Sequence, residues 1–194
     1  MTDSAPTHRR RTRAALLALT AALATALPIA GTGTAHAEMI PHWSPSFELR
    51  NVATNKCLEV ADWRKDDGAP VRQWTCHGGR NQQWMMNTNF ELVSANSGTC
   101  LTVPGGSTVP PDGNVPWGAQ LFIQTCMRQG FQWWGAPGVN SPSVGTVSPM
   151  RYSVVADVAG GDPSDGAPVI AWGYNGGANQ YWIGLQPPVT LVPR

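Results

Sequence analysis

The residues of this chain best able to do chemistry are four cysteines, eleven carboxylates beyond residue 37, two histidines in the same stretch and a thrice-repeated Gln-x-Trp. They recur along the chain and do not converge on one point. The histidines, His42 and His77, are isolated, and no GxSxG, HExxH or P-loop pattern accompanies them. A glycosidase needs two carboxylates facing each other across the bond it cleaves. Here the acids return about once per repeat, which suits binding. The carboxylates have no partner acids at calcium-ligand spacing, and the spacings of Cys57 to Cys76 and Cys100 to Cys126 contain no CxxC pair of the kind zinc sites use. The expected chemistry is disulfide formation and reversible binding, with no catalysis, metal or cofactor.

The elements that position these residues come from an internal repeat. Cys57 to Trp84 recurs without a gap as Val155 to Trp182, with 13 of 28 aligned residues identical. They are Val60, Ala61, the run Asp67 to Val71, Trp74, Gly78, Gly79, Asn81, Gln82 and Trp84. A looser copy lies between, from Cys100 to Trp134, lengthened by an insertion near 107–118. The three Gln-x-Trp pairs are therefore Gln82/Trp84, Gln132/Trp134 and Gln180/Trp182. Self-similarity at this period marks a chain built three times over.

Residues 1–37 have the three parts of a secretory signal peptide. Arg9, Arg10, Arg11 and Arg13 form a positive start, Ala14 to Ala30 an apolar stretch, and Ala35-His36-Ala37 a small-x-small cleavage site. Thr20, Thr25 and Pro28 interrupt the apolar run, which argues against a membrane anchor. The arginines also raise twin-arginine export, which the residues after them do not support. Without this leader, nine basic residues face eleven acidic ones. A near-neutral, slightly acidic domain argues against nucleic acid or an anionic membrane as partner. No other apolar run is long enough for membrane insertion. The expected protein is secreted and extracellular, one domain over 46–194 behind a short linker at 38–45. The C-terminal PPVTLVPR suggests no second domain.

In an exported chain an even cysteine count implies disulfides, and four cysteines allow three connectivities. Each of the first two copies holds one cysteine before a Leu-x-Val strand and one at the end of an apolar strand. Copy three replaces both, with Val155 and Tyr174. Joint loss suits side chains that meet in space, so Cys57–Cys76 and Cys100–Cys126 are the consistent pairing.

Short alternating strands fill each copy. The pattern predicts strands over Phe47–Leu49, Cys57–Val60, Val71–Cys76, Gln82–Met86 and Phe90–Val93, with Asp66-Asp67-Gly68 and Ser164-Asp165-Gly166 as turns. No segment sustains a helical period. Three copies of about four strands predict an all-β unit with pseudo-threefold symmetry, closed so that no edge strand is left unpaired. One copy alone cannot bury its apolar face. Trp84, Trp134 and Trp182 are the natural shared core.

The set Cys57-Leu58-Glu59-Val60, Asp67-Gly68-Ala69-Pro70-Val71, Trp74-Thr75-Cys76 and Asn81-Gln82-Gln83-Trp84, three times over, resembles the ricin B-type lectin domain. That domain is a β-trefoil, found also as a carbohydrate-binding module of bacterial glycosidases. The resemblance covers about 46–186. It implies one shallow sugar site per repeat. A carboxylate after the Cys-Leu position accepts from two vicinal hydroxyls, an aromatic ring covers the apolar face of the pyranose, and an Asn hydrogen-bonds a hydroxyl. The Gln of Gln-x-Trp belongs behind the carboxylate, holding it.

On that pattern copy three carries the complete set, Asp157, Trp172, Asn179 and Gln180, with Ile170 as apolar wall and Tyr174 and Asn175 near the rim. Copy one has Glu59, Trp74, Asn81 and Gln82, with Arg72 in the place of Ile170 and His77 nearby. Arg72 could neutralise Glu59 or fill the pocket. Copy two departs at the ligand positions, with Thr102, Gln124 and Phe131, and is expected to be structural. Asp157 and Asn179 also suit turns by residue type. Their joint presence with an aromatic residue in two copies favours a ligand site.

The expectation is thus a monomeric or weakly self-associating lectin, binding galactose- or xylose-type glycans mainly through the third repeat. The alternative is a trefoil kept as a protein-interaction scaffold, such as an inhibitor or a toxin's companion subunit. A ligand set degraded in every copy would favour that alternative, and copy three is intact.

Overall fold

The structure is a computed structural model that describes residues 44–105, 115–137 and 144–186. The chain divides into two units, Met1–Ala37 and Glu38–Arg194, and the described residues all belong to the second. The expected leader and most of the linker lie outside them.

Thirteen strands run through the described residues: β1 Phe47–Asn51, β2 Cys57–Val60, β3 Ala69–Trp74, β4 Gln83–Met86, β5 Leu92–Ser94, β6 Cys100–Thr102, β7 Phe122–Gln124, β8 Trp134–Gly135, β9 Val144–Thr146, β10 Ser148–Pro149, β11 Val155–Val158, β12 Val169–Trp172 and β13 Tyr181–Leu185. The first repeat is β1–β4, the second β5–β8 and the third β9–β13, whose opening strand is split into β9 and β10. Helix among the described residues is confined to single 3-10 turns.

Strand pairing closes a barrel. β1 pairs with β4 and β4 with β5; an isolated bridge, Glu91 to Trp133, carries the ring toward β8. β8 pairs with β10, β9 with β13, and β13 returns to β1. Closure satisfies the edges that an open sheet would leave free. The three remaining hairpins, β2/β3, β6/β7 and β11/β12, pack against one another at one end. Ala69 meets Ile123, Arg72 meets Pro168 and Gln120 meets Ile170, one contact for each side of a triangle. This is a β-trefoil with pseudo-threefold symmetry.

The core is threefold as well. Trp84, Trp134 and Trp182 are fully buried beside Leu58, Leu101, Ile123 and Val169. A buried indole N–H needs an acceptor. Each one donates to the carbonyl at the same place in its own repeat: Leu58 at 3.1 Å, Leu101 at 2.8 Å and Ala156 at 3.0 Å. The two disulfides form within the first and second repeats, Cys57–Cys76 and Cys100–Cys126, each with Cα atoms 5.1 Å apart.

Several strand boundaries differ from the sequence pattern: β1 runs on to Asn51, β3 begins at Ala69, and Gln82 closes a 3-10 turn ahead of β4. β3 ends at Trp74, short of Cys76, because the Thr75 N–H leaves the ladder to donate to Asp165 Oδ1 at 2.7 Å. Phe90 does not open β5. It stands at φ 61° in a turn where its N–H donates to the Asn87 carbonyl, and its ring is exposed.

Candidate functional site

Each Gln-x-Trp begins at the end of a 3-10 turn, over Arg80–Gln82, Gly130–Gln132 and Ala178–Gln180. The tight turn aims the Gln inward, toward the hairpin of its own repeat. Gln180 Nε2 donates to Asp157 Oδ2 at 2.8 Å and to the Gly173 carbonyl at 2.9 Å, while its Oε1 accepts from the Asn175 N–H at 2.8 Å. Gln82 repeats this with Glu59, Thr75 and His77, and Gln132 with Thr102, Thr125 and Met127. All three are fully buried, and each amide has spent both N–H groups. Gln180 and Gln82, read as part of the binding sets, therefore hold the acid in place and do not reach a ligand.

In the third repeat the hairpin register sets the site. Asp157 on β11 stands opposite Ile170 on β12, and Trp172 lies two residues further along the same face. Asp157, Gly160, Ile170, Trp172, Asn175 and Asn179 line a shallow cavity of about 300 Å³. Trp172 is 36% exposed, a ring open on one side. Asp157 Oδ1 accepts from Asn179 Nδ2 at 2.9 Å and Oδ2 from Gln180 at 2.8 Å. One bond per oxygen leaves lone pairs for two further donors. Burial pushes the Asp157 carboxyl above its ordinary value, and the bonds from Gln180 and Asn179 oppose this in part.

Asn179 departs from the expectation that its amide both donates to and accepts from a ligand. Its Nδ2 already donates to Asp157 and to the Val158 carbonyl at 3.0 Å. The amide is left to accept. Tyr174 turns away from the cavity and pairs with the Tyr181 hydroxyl.

The first repeat brings the corresponding residues together and fills the space between them. Arg72 Nε and Nη2 reach Glu59 Oε1 at 3.2 and 3.0 Å, and Nη2 also reaches Asp62 Oδ1 at 3.0 Å. The guanidinium lies 4.3 Å from the centre of the Trp74 ring, where a ligand's apolar face would go. Glu59 Oε2 contacts His77 Nε2 at 3.2 Å and accepts from Gln82. Asn81 is buried and donates to the Val60 carbonyl. Of the two roles left open for Arg72, it performs both. In the second repeat the Thr102 hydroxyl accepts from Gln132 and donates to the Cys100 carbonyl. Thr102 thus holds the position that Glu59 and Asp157 hold in the other two repeats.

Gly160 was missed by sequence reasoning. It takes the place of Asp62, with the same left-handed backbone at φ 61° against 54°. The third site is open because both arms of the charged clamp are gone together, Arg72 to Ile170 and Asp62 to Gly160. The signal was present in the gapless alignment of the two copies, in the column after the shared Ala61 and Ala159 and inside a matched pair of 3-10 turns.

A threefold barrel with one open carboxylate-and-indole pocket defines a binding domain of the β-trefoil class. A model described as ricin-type beta-trefoil lectin domain-like matches residues 40–116 and 87–172, and the chain belongs to that family. It is a carbohydrate-binding lectin domain in that broad sense. Among curated relatives, the ribosome-inactivating protein PMRIPt of Polygonatum multiflorum is 37% identical over 49 residues, 25% of this chain and 8% of that protein. Serine protease 1 of Rarobacter faecitabidus is 46% identical over 37 residues, 19% of this chain and 7% of that protein. The chain thus spans less than a tenth of either relative. The designed threefold-symmetric protein ThreeFoil superposes with TM-score 0.61 at 27% identity, over 72% of this chain and 96% of that one. An exo-beta-1,3-galactanase of Clostridium thermocellum gives TM-score 0.63 at 25% identity, over 74% and 30% of the two chains. The earthworm R-type lectin C-half, solved in complex with GalNAc, gives 0.58 at 19% identity over 73% and 98%, a likeness of fold.

Proposed function

We propose that this protein is a secreted, monomeric lectin that binds galactose- or xylose-type glycans reversibly through its third repeat, without chemistry of its own. The observation that carries the reading is the contrast between repeats. Asp157 keeps free lone pairs beside a half-open Trp172, whereas Glu59 is clamped by Arg72. Two vicinal hydroxyls fit the Asp157 oxygens, a third can donate to Asn179 Oδ1, and the C–H face of the ring lies on Trp172. The likeness to a trefoil within a galactanase fits a galactose-type ligand.

Each sugar hydrogen bond contributes about 0.5–1.5 kcal/mol net, since the free sugar is already solvated. One shallow site of this kind gives an affinity on the order of millimolar. Useful strength would then come from glycans that engage several copies, a gain of roughly 10²–10⁴.

Calorimetry with galactose, lactose and xylo-oligosaccharides on wild type and Asp157→Ala tests the proposal. Saturable binding that the substitution abolishes is expected. Binding that survives would move the site to Glu59. No binding across a broad glycan panel, with the protein folded, would sink the lectin reading in favour of a protein-interaction scaffold.

A further inference from the structure

The three hairpin turns dock on their neighbours by two different devices. The turn of the first repeat reaches the second, where Asp67 Oδ1 accepts from the Thr125 N–H at 2.7 Å and its hydroxyl at 3.1 Å. The turn of the third repeat reaches the first, where Asp165 Oδ1 accepts from the Thr75 N–H at 2.7 Å and its hydroxyl at 3.0 Å. At the remaining junction, from second repeat to third, the Asp position is Trp117 and the Thr position is Gly173. The exchange is matched in space. A Cβ at Gly173 would stand 2.6 Å from Trp117 Cζ2, so the indole occupies the room that the missing side chain leaves.

The turn also holds the indole firmly. Ala119 N–H closes it onto the Pro116 carbonyl at 3.3 Å, with Gly118 at φ 88°. Gly118 N–H donates to Ala171 and Ala171 N–H to Ala119, both at 2.9 Å, which stitches the turn to β12. The outcome places Trp117 beside Trp172, with ring centroids 5.6 Å apart and planes inclined at 43°. An indole that served only as a plug would be covered. Trp117 is 63% exposed and stands beside Trp172, just outside the residues that line the cavity.

From this pair we infer a second sugar subsite, built by the second repeat onto the site of the third. Its ligand is the next pyranose of a glycan whose first unit sits against Asp157 and Trp172, with its apolar face on Trp117. The inference rests on the third-repeat lectin site proposed above. It makes this protein a reader of oligosaccharides rather than of single terminal sugars. Fixing the ring in advance removes the ordering cost that a mobile side chain would charge against binding.

The test compares affinity for galactose with β-1,3-galactobiose and lactose, and for xylose with xylotriose, by calorimetry. The proteins are wild type, Trp117→Ala, and the double variant Trp117→Asp with Gly173→Thr. The double variant installs the Asp–Thr contact of the other two junctions and so keeps the repeats docked while removing the ring. Wild type should bind at least one oligosaccharide series roughly three- to tenfold more tightly than its monosaccharide, the gain of covering one sugar face. Both variants should lose that advantage, and the double variant should do so at an unchanged monosaccharide affinity. Equal affinity for mono- and oligosaccharides in wild type, or an advantage that survives loss of the indole, would overturn the inference alone. Wild type that binds no sugar would overturn it together with the site beneath it.

Discussion

Arg72 Nη2 lies 3.0 Å from Glu59 Oε1, and at the same place in the third repeat Ile170 stands opposite an Asp157 that no cation among the described residues touches. One guanidinium thus separates a filled pocket from an open one. Asp62 secures it from the far side at 3.0 Å and Trp74 from below.

Removing the clamp should open the first repeat. The variant Arg72→Ile with Asp62→Gly and Glu59→Asp reproduces the third-repeat lining there except at Asn175, whose place His77 keeps. Titration calorimetry should show stoichiometry rising from one sugar to two per chain. Arg72→Ile alone should cost about 1–3 kcal/mol in denaturant unfolding, because Glu59 then stays buried with fewer donors. A stoichiometry of one in the triple variant would mean that something other than the clamp separates the two repeats.

Acid should weaken sugar binding at a higher pH than an ordinary aspartate would. The ligand hydroxyls donate to ionised Asp157, whose carboxyl burial holds above its usual value. Affinity should therefore fall as pH drops through that raised value, in titrations from neutral pH downward. Fold stability runs the other way. A carboxyl raised in the folded state stabilises the fold when protonated, so this contribution is present below the ordinary aspartate range and lost as pH rises through the raised value. Glu48, raised chiefly by burial, has the same sign. Affinity that stays constant down to the ordinary aspartate range would contradict the role given to Asp157.

Gln180 and Gln132 make the same bonds in different repeats and separate fold from function. Gln180→Ala and Gln132→Ala should each cost about 1–3 kcal/mol, since each removes a fully buried amide and leaves a backbone N–H and a carbonyl without their bonds. Sugar affinity should drop in Gln180→Ala, where Asp157 loses its support, and hold in Gln132→Ala. Equal effects on affinity would make the Gln purely structural.

The disulfides close loops of 19 and 26 residues in the two repeats that lack an open site. By loop-closure entropy each should contribute roughly 3 kcal/mol. Unfolding midpoints in urea with and without reductant measure this. Galactose affinity of the reduced but folded protein should be unchanged, because β11 and β12 carry no cysteine.

Much of this architecture was readable from the chain. The gapless recurrence of Cys57 to Trp84 in the third repeat required three equivalent units. The three Trp residues required a shared core, and the joint loss of both cysteines at Val155 and Tyr174 pointed to the pairing. Within a repeat, the hairpin places Asp157 against Ile170 by register alone. These relationships are local, or are copied from one repeat to the next, so the pattern of residues carries them.

What the pattern could not carry was occupancy and contact across repeats. Residue types allowed Arg72 either to neutralise Glu59 or to fill the pocket, and only the folded distances show that it does both. Asn179 reads as donor and acceptor by type. The fold spends its donors on Asp157 and Val158. Trp117 lay in what the sequence presents as an insertion, 56 residues from the glycine that makes room for it. The sequence by itself determined the threefold barrel, because burial periodicity and repetition are properties of order along the chain. How the first pocket is closed, and which neighbour lends the third a second ring, was decided by tertiary structure, because side chains compete for space only once the repeats have closed on one another.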